Sequence, residues 1–181
     1  MLYVIITIIV ILLIFLFVTY NSLIKLNNKV KEAFATMDVY LKKRWDLIPN
    51  IVETVKGYAK HEKETLEDVI KLRNMNYESM KDDEKISNNE KLTQGINRIM
   101  ALAESYPELK ANENFKDLSK QLTKTEEDIA TSRKYYNATV RDYNNKVEMF
   151  PSNLIAKLFG YKTKSMFEIT TDERENVKID L

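Results

Sequence analysis

The chain has 181 residues, with 28 Lys and Arg against 27 Asp and Glu for a net charge of +1, and it holds 3 Gly, 3 Pro, no Cys and one His. So few turn-forming residues argue against β-architectures, and the near-neutral balance supplies no field to recruit nucleic acid, which is not expected as a partner. The lack of cysteine removes disulfides and thiol chemistry, and one histidine cannot build a multi-histidine metal site within one chain.

From Leu2 to Val18 the sequence LYVIITIIVILLIFLFV is interrupted only by Thr7 and the hydroxyl of Tyr3. A helix of that length comes close to crossing a hydrocarbon core of about 30 Å, so residues 1–20 are predicted to form a transmembrane anchor that meets membrane lipid through 2–18. A cleaved signal peptide is disfavoured, because no Lys or Arg precedes Lys25 and the exit TYNSL lacks a small-residue cleavage site. Lys25, Lys29 and Lys31 follow the span with nothing basic before it, which predicts a cytoplasmic body and an outward N-terminus. The same three lysines sit where anionic lipid attracts cations.

Residues 21–150 read as an antiparallel bundle of three or four long helices. Leu23, Leu26, Val30, Ala33, Met37 and Tyr40 recur in steps of three and four, the seam of a packed helix. The phase continues through Arg44 and Leu47 to Ile51, Val55 and Tyr58, across Pro49, which removes one helical hydrogen bond and leaves either a kink or a tight break. Helical character runs on through 61–80 and fails at KDDEKISNNE, residues 81–90, predicted as a loop in which Ser87 caps the next helix and Glu90 completes a capping box. A helix over 88–105 carries Leu92, Ile96, Ile99, Met100 and Ala103 and stops at Tyr106-Pro107, since the residue before proline is pushed out of helical geometry.

The last long helix is predicted over 115–149, with Leu118, Leu122, Ile129, Tyr136, Val140, Tyr143 and Val147 on its seam. Residues 151–181 then form a short amphipathic helix, with Leu154, Ile155, Leu158 and Phe159 on one face and Gly160 as its stop, and a polar C-terminal tail. A true turn at Pro49 makes four arms and returns Phe150 to the membrane, where LIAKLFGY would lie at the interface. A continuous helix through Pro49 makes three arms and leaves that segment at the far end.

Three blocks, LKKRWDLIPNIVETVKGYAKHE over 41–62, ESYPELKAN over 104–112 and SRKYYNATVRDYNNKVEMFPSNLIAKLFGY over 132–161, resemble the LemA family of bacterial membrane-associated proteins. They are long, correctly ordered and spread over most of the soluble part. The resemblance implies an all-α fold with an N-terminal membrane helix followed by an antiparallel helical bundle, and an envelope role; it implies no particular reaction. Relatives commonly end in a proline-led apolar strip, where this chain has Asn176 before Val177.

The first block concentrates the chemistry. Arg44, Trp45, Asp46, Pro49, Asn50, His61 and Glu62 form a candidate interaction surface or bend, and the bend is favoured: Arg44 or Asn50 would satisfy carbonyls freed by Pro49 while Trp45 and Ile48 fill the core. The stretch after His61 lacks the second histidine of a zinc-protease helix, and the residue three before it is Tyr58, so no Glu-x-x-His di-iron motif exists. Tyr136-Asn137 and Tyr143-Asn144 lie seven apart on one stripe and are candidates for fixing helix register rather than for binding a ligand.

No catalytic residue, cofactor or metal is expected. The expected function is a non-catalytic, single-pass scaffold or adaptor of the bacterial cell envelope, anchored in the cytoplasmic membrane and engaging other envelope proteins or itself. The alternatives are a carboxylate- or metal-dependent enzyme or regulator drawing on Asp46, Glu53 or Glu62, and an anionic-lipid-binding module.

Overall fold

The computed structural model describes residues 1–59, 62, 66–67, 69–71 and 77–167, and every regular element among them is helical. Helix α1 runs Leu2–Tyr58, a 3-10 turn covers Tyr77–Ser79, and α2 (Asp82–Glu104), α3 (Pro107–Ala111), α4 (Glu113–Glu148) and α5 (Ser152–Leu158) follow. The tail beyond 167 and His61 lie outside the described residues, as does half of the predicted helical stretch 61–80.

Helix α1 passes through Pro49 without a break, so the Trp45 carbonyl, which would accept from residue 49, has no helical donor there. Its predicted seam is buried at Leu23, Val30, Ala33, Met37, Arg44, Leu47, Ile51 and Val55, with Leu26 and Tyr40 half-buried and Tyr58 at the rim. Phe34, Leu41, Trp45, Ile48 and Val52 form a second buried row beside it. The apolar run before it is different: nearly all of residues 2–18 are exposed, and this is the one helix among the described residues that is long and apolar enough to cross a membrane.

The predicted loop over 81–90 is instead the start of α2. Three acids at Asp82, Asp83 and Glu84 favour a helix start electrostatically, and the Glu84 carboxylate accepts from the Lys81 backbone N–H at 2.9 Å. Ser87 is therefore an interior helical residue, since the acidic first turn supplied an earlier N-terminus than the Ser87–Glu90 pattern did. Helix α2 ends at Glu104, and Pro107 then opens α3 at a position where its missing N–H costs nothing. Asn112 caps α4 through its side-chain oxygen, which accepts from the Phe115 N–H at 3.0 Å, and its amide donates to the Tyr58 hydroxyl at 2.9 Å.

The chain divides into two compact units, Met1–Thr36 with Ser132–Met166, and Met37–Thr131 with Phe167. In the first unit Leu23, Ile155 and Ala156 form a closed cluster, with Leu16, Tyr20, Val147 and Tyr161 packed around it, and the Phe34 and Tyr136 rings meet at 5.7 Å. This corrects the arm-counting expectation: α1 is continuous, yet α5 packs beside the apolar run. The extra traverse lies after Tyr58: by Tyr77 the chain is back beside Asp38 and Trp45, so α2 runs outward again from Asn89 near Arg44 to Ile99 near Ile51, and α4 is the arm that returns. In the second unit Ile48 and Ile51 of α1 meet Ile96, Ile99 and Met100 of α2 and Leu122 of α4.

Candidate functional site

Helical spacing carries Arg44 into the core of the second unit, one turn after Leu41 and one before Ile48, and its side chain is 1% exposed. A guanidinium so placed must find partners, because it cannot lose its charge. Helix α2 supplies Asn89 and Thr93, four apart on one face, and α4 supplies Glu126. Arg44 Nη1 donates to Thr93 Oγ1 at 2.8 Å and to Glu126 Oε1 at 2.7 Å, while Nη2 donates to the Asn89 carbonyl at 3.1 Å and to Asn89 Oδ1. The Thr93 hydroxyl completes the circuit by donating to the Asn89 carbonyl at 3.1 Å. Only Nε is buried without a partner. Glu126 is 33% exposed, so the ion pair is sealed on the arginine side and wet on the acid side.

Asp38 anchors a second polar group less than two turns earlier on α1. It accepts from the Tyr77 hydroxyl at 2.5 Å and from Lys85 Nζ at 2.8 and 3.0 Å. Lys85 also stands 4.6 Å from the centre of the Tyr77 ring, and that ring packs against Trp45 at 5.2 Å. Burial drives the Tyr77 hydroxyl far above the ordinary tyrosine value, and the Asp38 carboxylate, accepting its hydrogen bond, adds to the effect. Tyr77 is thus a fixed neutral donor. Trp45, Tyr77, Arg44, Lys85 and Asn89 line a crevice whose free volume is about 10 Å³, room for one water at most.

The 41–62 candidates separate. Arg44 and Trp45 point inward, whereas Asp46 and Asn50 are exposed, Asp46 pairing with Lys42 at 2.5 Å, and Pro49 is half-buried. Glu62 stands at the helix exit, its N–H donating to the Ala59 carbonyl at 3.2 Å. Among the described residues no three His, Asp or Glu side chains converge as a metal site. Lys25, Lys29 and Lys31 are all exposed.

In the first unit, Tyr136, Tyr143 and Asn144 of α4 grip the segment after α5. The Tyr136 hydroxyl donates to the Ser165 carbonyl at 3.1 Å and that of Tyr143 to the Lys162 carbonyl at 2.9 Å. Asn144 makes a two-bond clasp on Lys164, donating from Nδ2 to its carbonyl and accepting its N–H at Oδ1, both at 2.9 Å. Asn137 is half-buried on the same helix. Tyr136, Tyr143 and Asn144 thus bind backbone, while the Tyr136 ring also packs on Phe34 of α1.

Sequence reasoning missed Asp38, Tyr77, Lys85, Asn89, Thr93 and Glu126. A signal existed, since Arg44 occupies an apolar phase position and so requires an acid and polar acceptors at core-facing positions of other helices. Asn89 and Thr93 share the face of Leu92 and Ile96, and Glu126 lies between Leu122 and Ile129, but nothing in the spacing pairs one with another.

A helical body built around a buried arginine, joined to one helix apolar enough to cross a membrane, defines a class of all-helical, membrane-associated proteins. A family model described as the LemA family matches residues 33–181, and the chain belongs to the LemA family. It is similar to Protein LemA of Metamycoplasma hominis, 24% identical over 161 residues that cover 87% of this chain and 72% of the relative. It is also similar to Magnetosome protein MamQ 2 of Paramagnetospirillum magneticum, 33% identical over 73 residues, covering 40% of this chain and 27% of the relative. Magnetosome protein MamQ of Magnetospirillum gryphiswaldense is 29% identical over 72 residues, covering 40% and 26%. The chain thus spans about a quarter of the length of the magnetosome relatives it matches.

Proposed function

We propose that the protein is a single-pass protein of the bacterial cytoplasmic membrane whose helical domain stands in the cytoplasm as a scaffold or adaptor for other envelope proteins or for further copies of itself, without catalysis. The observation that carries this reading is the continuity of α1: the helix that holds the apolar run 2–18 goes on, unbroken, to supply the buried seam as far as Val55. Exposed Lys25, Lys29 and Lys31 just past the run support the cytoplasmic side. The commitment of Arg44 to Asn89, Thr93 and Glu126 supports a structural use for its charge, and it leaves the outer face of α1 around Asp46 and Asn50 for a partner helix or groove.

The test is photocrosslinking in living cells from a photoreactive residue placed at Asn50, an exposed position. The reading predicts a reproducible adduct with one membrane protein or with a second copy, abolished by Asp46→Lys. No adduct from Asn50 or from Asp46, with the protein present in the membrane fraction, would contradict it.

A further inference from the structure

Helix α5 has seven residues, and two of its sides do different things. Ile155 and Ala156 turn inward onto Leu23, within the cluster that Leu16 and Tyr20 help to close. Leu16 belongs to the apolar run and Leu23 lies just past its end, so α5 is docked along a stretch of α1 about 10 Å long at 1.5 Å per residue. That packing fixes its depth: beside the point where α1 leaves the apolar run.

The other side carries apolar side chains with nothing over them. Leu154 and Leu158, four apart and therefore on one face, are 60% and 70% exposed, and Met149 and Phe150 in the preceding corner are 62% and 78% exposed. Contiguous apolar patches on soluble surfaces mark a binding partner. Phe159 sets its ring 4.6 Å from that of Tyr20, and Tyr161 stands 6.4 Å from Tyr20, the grouping of aromatics found at the level of lipid headgroups. Positive charge gathers at the same end. Residues 19–36 and 144–166 hold seven lysines and two glutamates, a net +5 in a chain whose total is +1, and Lys25, Lys157 and Lys162 are exposed.

We propose that the corner between α4 and α5, Met149 to Phe159, is a second membrane-contacting element that lays its apolar side into the interfacial layer of the bilayer holding α1, with anionic headgroups against the neighbouring lysines. The proposal rests on the reading that residues 2–18 span a membrane. The occupant is lipid rather than a protein groove because Leu16, within the same cluster, already belongs to the run that the hydrocarbon would surround, and because the flanking charge complements anionic headgroups. A seven-residue helix offers too little apolar area to hold a membrane alone, but tethering by α1 makes its contact intramolecular.

The chain has no cysteine, so single cysteines report without background. Leu154→Cys, Leu158→Cys, Ile9→Cys in the apolar run and Lys120→Cys on an exposed site of α4 are made in the full-length protein, labelled with an environment-sensitive dye and reconstituted into vesicles containing anionic lipid. The expected result is that labels at 154 and 158 are quenched by nitroxide lipids carried near the headgroup, and are several-fold less accessible to iodide than the label at 120. If they are as accessible to iodide as the label at 120 while the Ile9 label is quenched by deep nitroxide lipids, the proposal fails and the span stands. If the Ile9 label also escapes lipid quenching, both fail.

Discussion

Replacing Glu126 by alanine removes the one carboxylate paired with a guanidinium that is 1% exposed. Arg44 keeps Thr93 on Nη1 and Asn89 on Nη2, so a single hydrogen bond is lost, but the countercharge goes and water cannot replace it. Stranding a buried charge in this way costs about 3–5 kcal/mol. At roughly 2–4 °C per kcal/mol for a domain of this size, the midpoint falls on the order of 10 °C. The reverse change is milder. Arg44→Met takes the charge out of the core, and Glu126, one third exposed, returns to water, leaving the lost bonds to Asn89 and Thr93 at about 1 kcal/mol each. The double variant Arg44→Met/Glu126→Ala is therefore more stable than Glu126→Ala alone, a strongly non-additive cycle. Trp45 is the single tryptophan, buried against Tyr77, so its fluorescence reports unfolding of the full chain in detergent. The reasoning is refuted if Glu126→Ala costs no more than Lys42→Ala, which breaks an exposed pair worth about 0.3–0.5 kcal/mol, or if the two core changes add.

Gly95 lies inside α2, and a Cβ there would stand 2.8 Å from the Val69 Cγ2. Gly95→Ala gains about 1 kcal/mol of helix propensity but must displace a stiff, buried β-branched side chain at about 1–3 kcal/mol, so thermal melts should show net destabilisation, and Gly95→Ala with Val69→Ala should cost less than the two single changes summed. Asn144→Ala removes both bonds to the Lys164 backbone, about 1–2 kcal/mol of local stability, and trypsin should cut after Lys162 and Lys164 faster while the global midpoint moves little. The raised Tyr77 hydroxyl favours folding fully below the unfolded tyrosine value of about 10, and that contribution is lost as pH rises past it, because the unfolded chain releases the proton first. Urea midpoints measured from pH 8 to pH 11 should therefore fall less steeply in Tyr77→Phe than in the parent.

The helical character of the body and the seam of α1 were legible because burial follows a three-and-four spacing that needs only one strand of sequence to see. Val30, Ala33, Met37, Leu47, Ile51 and Val55 are buried where the rhythm puts them. The continuity of α1 through Pro49 was not legible, since a proline in phase is compatible with a kink or a break, and the contacts that seat this stretch, Trp45 on Tyr77 and Ile48 on Ile96 and Ile99, come from distant sequence. The start of α2 was misread because a capping-box pattern at Ser87 competes with an acidic first turn five residues earlier, and local rules do not rank them. Arg44 stood out as polar chemistry in an apolar phase, yet its partners come from residues 45 to 82 positions away and leave no periodic trace. The Tyr-Asn pairs were visible as a stripe; that Tyr136, Tyr143 and Asn144 grip the backbone of 162–165 depends on a chain reversal at α5 that the stripe does not encode.

The proposed function requires residues 2–18 to cross the cytoplasmic membrane with the helical domain inside, and the direct measurement is cysteine accessibility in intact cells. Lys120→Cys, introduced into a chain without other cysteines, is exposed to a membrane-impermeant maleimide before and after the inner membrane is permeabilised. The account predicts labelling only after permeabilisation, with the protein retained in the membrane pellet through alkaline carbonate washing. Labelling in intact cells, or release of the protein by the wash, would contradict it.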